Sequence, residues 1–229
     1  MWKTGNLLTI FIIAAVATAQ SQDQIPDPDP LRFEAQINEF TAWDEKNDFP
    51  EEAVLFVGSS SIRMWETEQA FPEMPVINRG FGGSHISDVD YFYERIIKKY
   101  NPSIIVFYAG ENDVSSGKSV RRVLNDYQNI TKRILADIPH TRILFMSVKQ
   151  SGSRADQWTE MDVFNQLVFE YSRSSEQLFF IDMATPLFNS IDRADDELFL
   201  DDRLHLNKKG YTIWNRVIKP DIYTLFGKQ

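Results

Sequence analysis

The sequence contains no cysteine, which excludes disulfide bonds, zinc–thiolate sites, thiol nucleophiles and a lipid anchor attached to cysteine. Positive charge is also scarce, because 24 Lys and Arg residues stand against 33 Asp and Glu residues, for a formal net charge of −9. Since an acidic surface repels phosphate backbones, we expect no nucleic-acid partner. The sequence also lacks a G-x-S-x-G motif, and this absence excludes the nucleophile elbow of the α/β-hydrolase fold.

The N-terminus carries the features of an export signal. Lys3 supplies a positive charge, residues 7–19 are almost wholly apolar, and residues 17–19 form a small-x-small cleavage pattern. The apolar run is shorter than the roughly 20 residues that span a bilayer, although an uncleaved membrane anchor is the alternative interpretation. We therefore expect a signal peptide at 1–19 and a secreted or periplasmic mature protein without stable membrane insertion. Residues 20–30 are polar and rich in proline, which predicts a flexible leader.

The remainder, residues 31–229, alternates between two kinds of pattern. Short continuous apolar runs are typical of strands that are buried on both faces of a parallel sheet. They occur at residues 53–57, 76–77, 104–109, 143–146 and 178–181. Apolar residues spaced three and four apart predict helices between them, one through residues 89–100 and a last one that kinks or ends at Pro220. The alternation predicts one domain, a three-layer α/β/α sandwich around a mainly parallel five-stranded sheet.

Functional sites in such sheets lie beyond the carboxyl ends of the strands. The segments at these positions supply a hydroxyl, a glycine pair, an amide beside carboxylates and, before the last helix, a carboxylate with an imidazole. They are Gly58-Ser59-Ser60, Gly82-Gly83, Gly110-Glu111-Asn112-Asp113 and Asp202-Arg203-Leu204-His205. Acyl transfer needs these residue types, because it requires a nucleophile, donors to an oxyanion and an oriented base.

These segments, in this order, resemble the motifs of the SGNH (GDSL-like) hydrolase family. The resemblance extends over about residues 51–226 and implies the flavodoxin-like sheet of that family. An aspartate usually precedes the nucleophilic serine of the family, and Ser59 takes its place here within a run of three serines. The resemblance aligns Ser60 with the nucleophile, while the residues alone leave Ser59 and Ser61 as alternatives.

The resemblance implies that three of these residues form a catalytic triad. Ser60 matches the nucleophile, His205 its base, and Asp202 the carboxylate that orients the imidazole. The sequence has three histidines, and among them only His205 follows an aspartate at the family's spacing. The adjacent Asp201 is the alternative carboxylate.

The resemblance also implies an oxyanion hole, formed by the backbone N–H groups of Ser60 and Gly83 and by the side-chain amide of Asn112. Four further side chains near the matching segments are predicted to lie at the substrate pocket; they are Ser59, Arg63, His85 and Glu111. We expect neither a metal nor a cofactor. The residues leave the oligomeric state open.

The sequence therefore predicts a secreted serine hydrolase that acts through an acyl-serine intermediate. The resemblance implies small acyl esters as substrates, acetyl or short-chain, including O-acetyl groups on carbohydrate. An acyltransferase that uses the same acyl-enzyme is one alternative. A catalytically inactive carbohydrate-binding module on the same fold is another, and the absence of turnover would favour it.

Overall fold

The computed structural model describes residues 25–189 and 194–227. Its centre is a sheet of five strands in the order β2-β1-β3-β4-β5. The strands are Val54–Gly58 (β1), Val76–Gly80 (β2), Ile104–Tyr108 (β3), Arg142–Met146 (β4) and Leu178–Ile181 (β5). Every neighbouring pair runs parallel. The predicted sheet and its parallel character are therefore confirmed.

Helices cover both faces of this sheet. The α-helices are Glu34–Asp44 (α1), Ser60–Arg63 (α2), Thr67–Ala70 (α3), Ile86–Tyr91 (α4), Tyr93–Ile96 (α5), Glu111–Ser115 (α6), Val120–Asp137 (α7), Trp158–Ser172 (α8) and Lys208–Phe226 (α9). Short 3-10 turns lie at Pro30–Phe33, Lys98–Tyr100, Gly152–Gln157, Thr185–Leu187 and Asp196–Leu198. Helices α1, α4, α5, α7 and α8 pack on one face, and α2, α3 and α9 on the other. This arrangement confirms the predicted three layers.

The central strand β1 shows why the apolar runs have no polar alternation. Leu55 and Val57 belong to the apolar core on one face, whereas Val54 and Phe56 belong to the core on the other. Side chains alternate between the two faces along a strand. A strand covered by helices on both sides therefore needs an apolar residue at every position.

The helix predicted through residues 89–100 is instead three short pieces. Helix α4 ends before Phe92, α5 ends before Ile97, and a 3-10 turn completes the segment. At Ile97 the backbone leaves the helical region, with φ −127° and ψ −66°. The apolar residues of the stripe, such as Val89 and Ile96, are nevertheless buried. The periodicity thus identified the buried face correctly, although burial of these side chains did not require a continuous helix.

Pro220 does not end the last helix. Helix α9 continues through it from Lys208 to Phe226, although proline removes a backbone donor and crowds the preceding turn. Ile218 and Ile222, on either side of the proline, are completely buried. Packing of these side chains against the sheet holds the helical path across a residue that an isolated helix would not tolerate.

Residues 25–30 lie against the body of the domain, unlike the free leader that the composition predicts for 20–30. The carboxylate of Asp27 lies 2.6 Å from Lys118 Nζ and 2.7 Å from Arg122 Nη2. Asp29 caps the first turn by accepting a hydrogen bond from the backbone of Leu31. Lys118 is fully buried, so an aspartate that pairs with it has to lie against the domain. The ion pairs therefore hold this segment in place. The predicted signal peptide at 1–19, and residues 20–24, lie outside the described residues.

Within residues 25–189 and 194–227, no helix is long and apolar enough to cross a membrane.

Candidate active site

A sharp turn at the end of β1 positions the first site residue. Gly58 has φ +138°, and a Cβ atom added there would lie 1.9 Å from the carbonyl oxygen of Tyr108 on the neighbouring strand β3. Only glycine fits so close to another backbone. The backbone N–H of Ser59 then donates to the same Tyr108 oxygen at 2.9 Å, and Ser60 begins α2. The turn leaves Ser60 half-buried while Ser59 is buried.

Ser60, His205 and Asp202 form a continuous hydrogen-bonded chain. The hydroxyl of Ser60 lies 2.9 Å from His205 Nε2, and His205 Nδ1 lies 2.6 Å from Asp202 Oδ2. An ionised carboxylate only accepts hydrogen bonds, so the proton of the neutral imidazole sits on Nδ1. Nε2 is then the acceptor for the Ser60 hydroxyl. This arrangement can remove a proton from Ser60 as its oxygen attacks an electrophile.

Asp202 is fixed by the turn that precedes α9. Its Oδ1 accepts hydrogen bonds from the backbone N–H groups of Leu204 and His205, at 2.9 and 3.0 Å. Partial burial raises the pKa of Asp202, but the hydrogen bonds from the side chain and backbone of His205 outweigh it and lower the pKa to about 2. Asp202 rather than the neighbouring Asp201 is the carboxylate that faces the histidine.

Asn112 enters the same region from α6, at the carboxyl end of β3. Its Nδ2 donates to the backbone carbonyl of Ser84 at 3.0 Å, which ties α6 to the loop that follows β2. Gly83, in that loop, is exposed, has φ +77° and has open space on the side where a Cβ atom would lie. Such a backbone leaves room for a ligand to approach closely.

A buried polar cluster lies behind the nucleophile. Glu111 Oε2 accepts hydrogen bonds from Lys149 Nζ at 2.7 Å and from the Tyr108 hydroxyl at 2.6 Å. Lys149 Nζ also donates to the hydroxyl of Ser61 at 3.2 Å. Burial raises the pKa of Glu111, but the charges of Lys149 and Arg154 outweigh burial and lower the pKa below its usual value.

Three of the four predicted pocket side chains are buried and do not form an open pocket wall. Ser59, His85 and Glu111 are 2%, 6% and 3% exposed, respectively. Neighbouring groups cover the surfaces of these three side chains, so the three lie beneath the site and not in its wall. Arg63 is exposed, and its guanidinium lies against Gly82.

His85 faces a buried carboxylate rather than the pocket. Its Nδ1 lies 3.6 Å from Asp113 Oδ1. Asp113 also pairs with Lys118 Nζ at 2.8 Å and accepts a hydrogen bond from the backbone N–H of Ile86. Burial, assisted by the charge of Lys118, lowers the pKa of His85 to about 4. The histidine is therefore neutral at physiological pH and serves the packing of the loop after β2.

Lys149 and Arg154 contact site residues, although neither belongs to one of the predicted motifs. Lys149 follows β4 and is 1% exposed, and Arg154 lies in the 3-10 turn Gly152–Gln157. The available signal was the position of Lys149 shortly after an apolar run, at the edge of the sheet where sites collect. Among the residues described, no group of three or more acidic or histidine side chains is arranged to hold a metal ion.

Comparisons with known proteins identify the family to which the chain belongs. The model of the GDSL-like lipase/acylhydrolase family matches residues 63–213, about two thirds of the chain. The match begins after Ser60 and includes the segments of Gly83, Asn112 and His205. A comparison with curated proteins gave no match.

Solved structures share the fold at low sequence identity. A protein from Streptococcus pneumonia named after platelet activating factor is 18% identical with a TM-score of 0.75, over 96% of this chain and all of that one. A GDSL-like lipase from Bacteroides thetaiotaomicron is 17% identical with a TM-score of 0.70, over 83% of this chain and 98% of that one. An acetyl-xylooligosaccharide esterase from Geobacillus stearothermophilus is 14% identical with a TM-score of 0.61, over 77% of this chain and 96% of that one. With the fold, the ordered motifs and the family match in agreement, the chain belongs to the GDSL-like lipase/acylhydrolase family.

Proposed function

We propose that the protein hydrolyses small acyl esters through a covalent acyl-serine intermediate on Ser60. The observation that carries this proposal is the hydrogen-bonded chain from Ser60 through His205 to Asp202, with contacts of 2.9 and 2.6 Å. A serine hydroxyl is a weak nucleophile by itself and needs a base within hydrogen-bond distance. His205 meets that requirement, and Asp202 holds it in the tautomer that can accept the proton.

The first half-reaction forms the acyl-enzyme. Ser60 Oγ bonds to the ester carbonyl carbon as its proton passes to His205 Nε2. The carbonyl oxygen becomes an oxyanion, which the backbone N–H groups of Ser60 and Gly83 and the Asn112 amide stabilise. When this intermediate collapses, the bond to the alcohol oxygen breaks, and His205 gives that oxygen the proton it received from serine.

The second half-reaction releases the acid. A water molecule gives a proton to His205 Nε2 as its oxygen bonds to the acyl carbon. The bond to Ser60 Oγ then breaks, and the proton returns to the serine. The acid and the alcohol are the two products, and the enzyme is restored without a metal or a cofactor entering the balance.

We propose acetyl or short-chain esters, including O-acetyl groups on carbohydrate, as the substrate class. Two observations support this choice. Ser60 and His205 are only half-buried and Gly83 is exposed, so solvent reaches the nucleophile. One of the similar structures is an acetyl-xylooligosaccharide esterase.

The apolar N-terminal run supports export, which would bring the enzyme to substrates outside the cytoplasm.

Turnover of nitrophenyl acetate by the purified protein tests the function. We expect hydrolysis by the wild type, with rates that fall as the acyl chain is lengthened from acetate to octanoate. Ser60→Ala should lose at least about 1,000-fold in kcat, because removal of the nucleophile leaves only binding and the oxyanion hole. Ser59→Ala is the matched control, since this buried neighbour has no side-chain cap bond. A folded wild type that hydrolyses no ester would reject the proposal.

A further inference from the structure

The side-chain amide of Asn112 is held at both of its polar atoms. Nδ2 donates to the carbonyl of Ser84 at 3.0 Å, and Oδ1 accepts a hydrogen bond from Arg154 Nη2 at 2.7 Å. A carbonyl can only accept and a guanidinium can only donate, so the two contacts enforce the same orientation. Nδ2 carries two hydrogens, and among the described residues only Ser84 accepts from it. The second hydrogen has no acceptor among those residues.

Arg154 reaches this amide from a different part of the chain. It lies in the 3-10 turn after β4, and its backbone departs from helical geometry, with φ −122° and ψ 30°. The side chain is 14% exposed, and Nη1 lies 3.4 Å from Glu111 Oε1. One guanidinium therefore contacts two consecutive residues of α6, Glu111 and Asn112. The planar fork of arginine suits such a double contact.

The charge on this guanidinium is not simply cancelled by Glu111. The other carboxylate oxygen of Glu111 already accepts from Lys149 Nζ and from the Tyr108 hydroxyl. One carboxylate is thus shared between two cationic side chains, both largely removed from water. A charged donor at the oxygen of an amide polarises the group and strengthens the N–H on its nitrogen as a donor.

We propose that Arg154 is a positioning residue of the oxyanion hole, which fixes and polarises the Asn112 amide so that its second N–H meets the oxyanion. This inference rests on the proposed function, because it assigns Arg154 a part in the same reaction. Arg154 acts through Asn112 and does not touch the substrate. Its contribution is therefore made in the transition state, where charge develops on the carbonyl oxygen.

Kinetics of nitrophenyl acetate hydrolysis give the first test. Arg154→Met should lower kcat about tenfold or more and leave KM within about twofold, because the lost interaction stabilises the transition state more than the bound ester. Arg154→Lys keeps a cation near Glu111 but loses the fork, so it should lie between wild type and Arg154→Met in kcat. Arg173→Met, which removes an exposed arginine at the end of α8, is the matched control and should not change kcat.

A double-mutant cycle separates positioning from general damage to the fold. In an Asn112→Ala background, Arg154→Met should change kcat by less than about twofold, because the amide through which it acts is gone. A residue that merely supports the fold would lower kcat by the same factor in both backgrounds. That result, or an unchanged kcat in Arg154→Met, would overturn the proposal while leaving the esterase function in place.

A second readout does not depend on turnover. In ¹⁵N-labelled protein, the side-chain amide signals of Asn112 are identified by their loss in Asn112→Ala. Arg154→Met and Arg154→Lys should move these signals and speed their exchange with water, whereas Arg173→Met should not. Unmoved signals would refute the Arg154 contact even if no ester were hydrolysed, and absence of hydrolysis in the wild type would by itself refute only the esterase function.

Discussion

Asp202 and Asp201 are adjacent acidic residues, yet only one of them faces the imidazole. Asp202 Oδ2 accepts from His205 Nδ1 at 2.6 Å, and two backbone N–H groups bind its other oxygen. Because these bonds lower the pKa of Asp202 to about 2, the carboxylate stays ionised throughout the range in which an imidazole acts as a base. The orientation of His205 therefore should not depend on pH above about 3.

Asp202→Asn should lower kcat for nitrophenyl acetate by roughly 100- to 10,000-fold, because an amide at this position favours the wrong imidazole tautomer. Asp201→Asn removes the same charge from the next residue and should leave kcat unchanged. Steady-state kinetics of the two variants at pH 7.5 make the comparison. An equal loss in both, or a larger one in Asp201→Asn, would contradict the assignment of Asp202.

Among the individual site residues, those in family-like motifs could be predicted from the sequence, and those outside such motifs could not. Ser60, Asn112 and His205 lie in short ordered segments. Ser60 and Asn112 follow the carboxyl ends of the neighbouring strands β1 and β3, and His205 contacts Ser60. Arg154 lies 42 residues from its partner Asn112, in a turn without periodicity. An arginine in a loop is usually solvated, so only the folded arrangement identifies it.

At the scale of the element, the turn from β1 into α2 sets the position of the nucleophile. Gly58 has φ +138°, and the backbone of β3 occupies the space that a side chain would need. The turn thus depends on two properties of glycine at once, its permitted backbone angles and its missing Cβ. At Gly83 only the permitted backbone angles matter, because nothing lies within 4 Å of the place where a Cβ atom would be.

Gly58→Ala should therefore reduce the free energy of unfolding by at least about 3 kcal/mol, since the new methyl group overlaps the Tyr108 carbonyl. Gly83→Ala should reduce it by only about 1 kcal/mol, the usual effect of a positive φ on alanine. Urea denaturation followed by circular dichroism measures both values. Equal effects would show that backbone crowding at Gly58 is unimportant.

The elements themselves were predictable to different degrees. Continuous apolar runs such as 104–109 located the central strands well, because burial on both faces leaves a direct mark on the sequence. The edge strand β2 was marked only by Val76 and Ile77, because the rest of it carries polar residues and glycine and it is only partly buried. Helix ends were less well marked: the break at Ile97 and the continuation of α9 through Pro220 are both decided by packing against the sheet. Tertiary contacts outweigh local propensity at such positions.

At the scale of the whole molecule, a buried histidine links stability to pH. The folded-state pKa of His85 is about 4, whereas a histidine in an unfolded chain titrates near 6.5. Between these values the unfolded chain binds a proton that the folded chain excludes. The free energy of unfolding therefore falls as pH decreases from about 6.5 to about 4. Above pH 6.5 the histidine is neutral in both states, so it adds no pH dependence there.

His85→Gln should remove this contribution. Between pH 7 and pH 4.5, the variant should lose about 2–3 kcal/mol less stability than the wild type does. His140→Gln is the matched control, because His140 is exposed in the turn before β4, and it should retain the wild-type dependence. Urea unfolding at the two pH values measures the difference. The same loss in His85→Gln as in the wild type would contradict a neutral buried His85.

The central claim, that Ser60 carries the acyl group, is tested most directly by covalent labelling. The wild type is treated with a nitrophenyl alkylphosphonate, whose phosphorus is attacked by an activated serine and whose oxygen occupies the oxyanion hole. The modified residue is then located by peptide mass spectrometry. We expect a single phosphonyl group on Ser60, complete loss of ester hydrolysis, and no labelling of His205→Ala at a comparable rate. A label on Ser59 or Ser61, or full hydrolytic activity in a protein labelled on Ser60, would contradict the account.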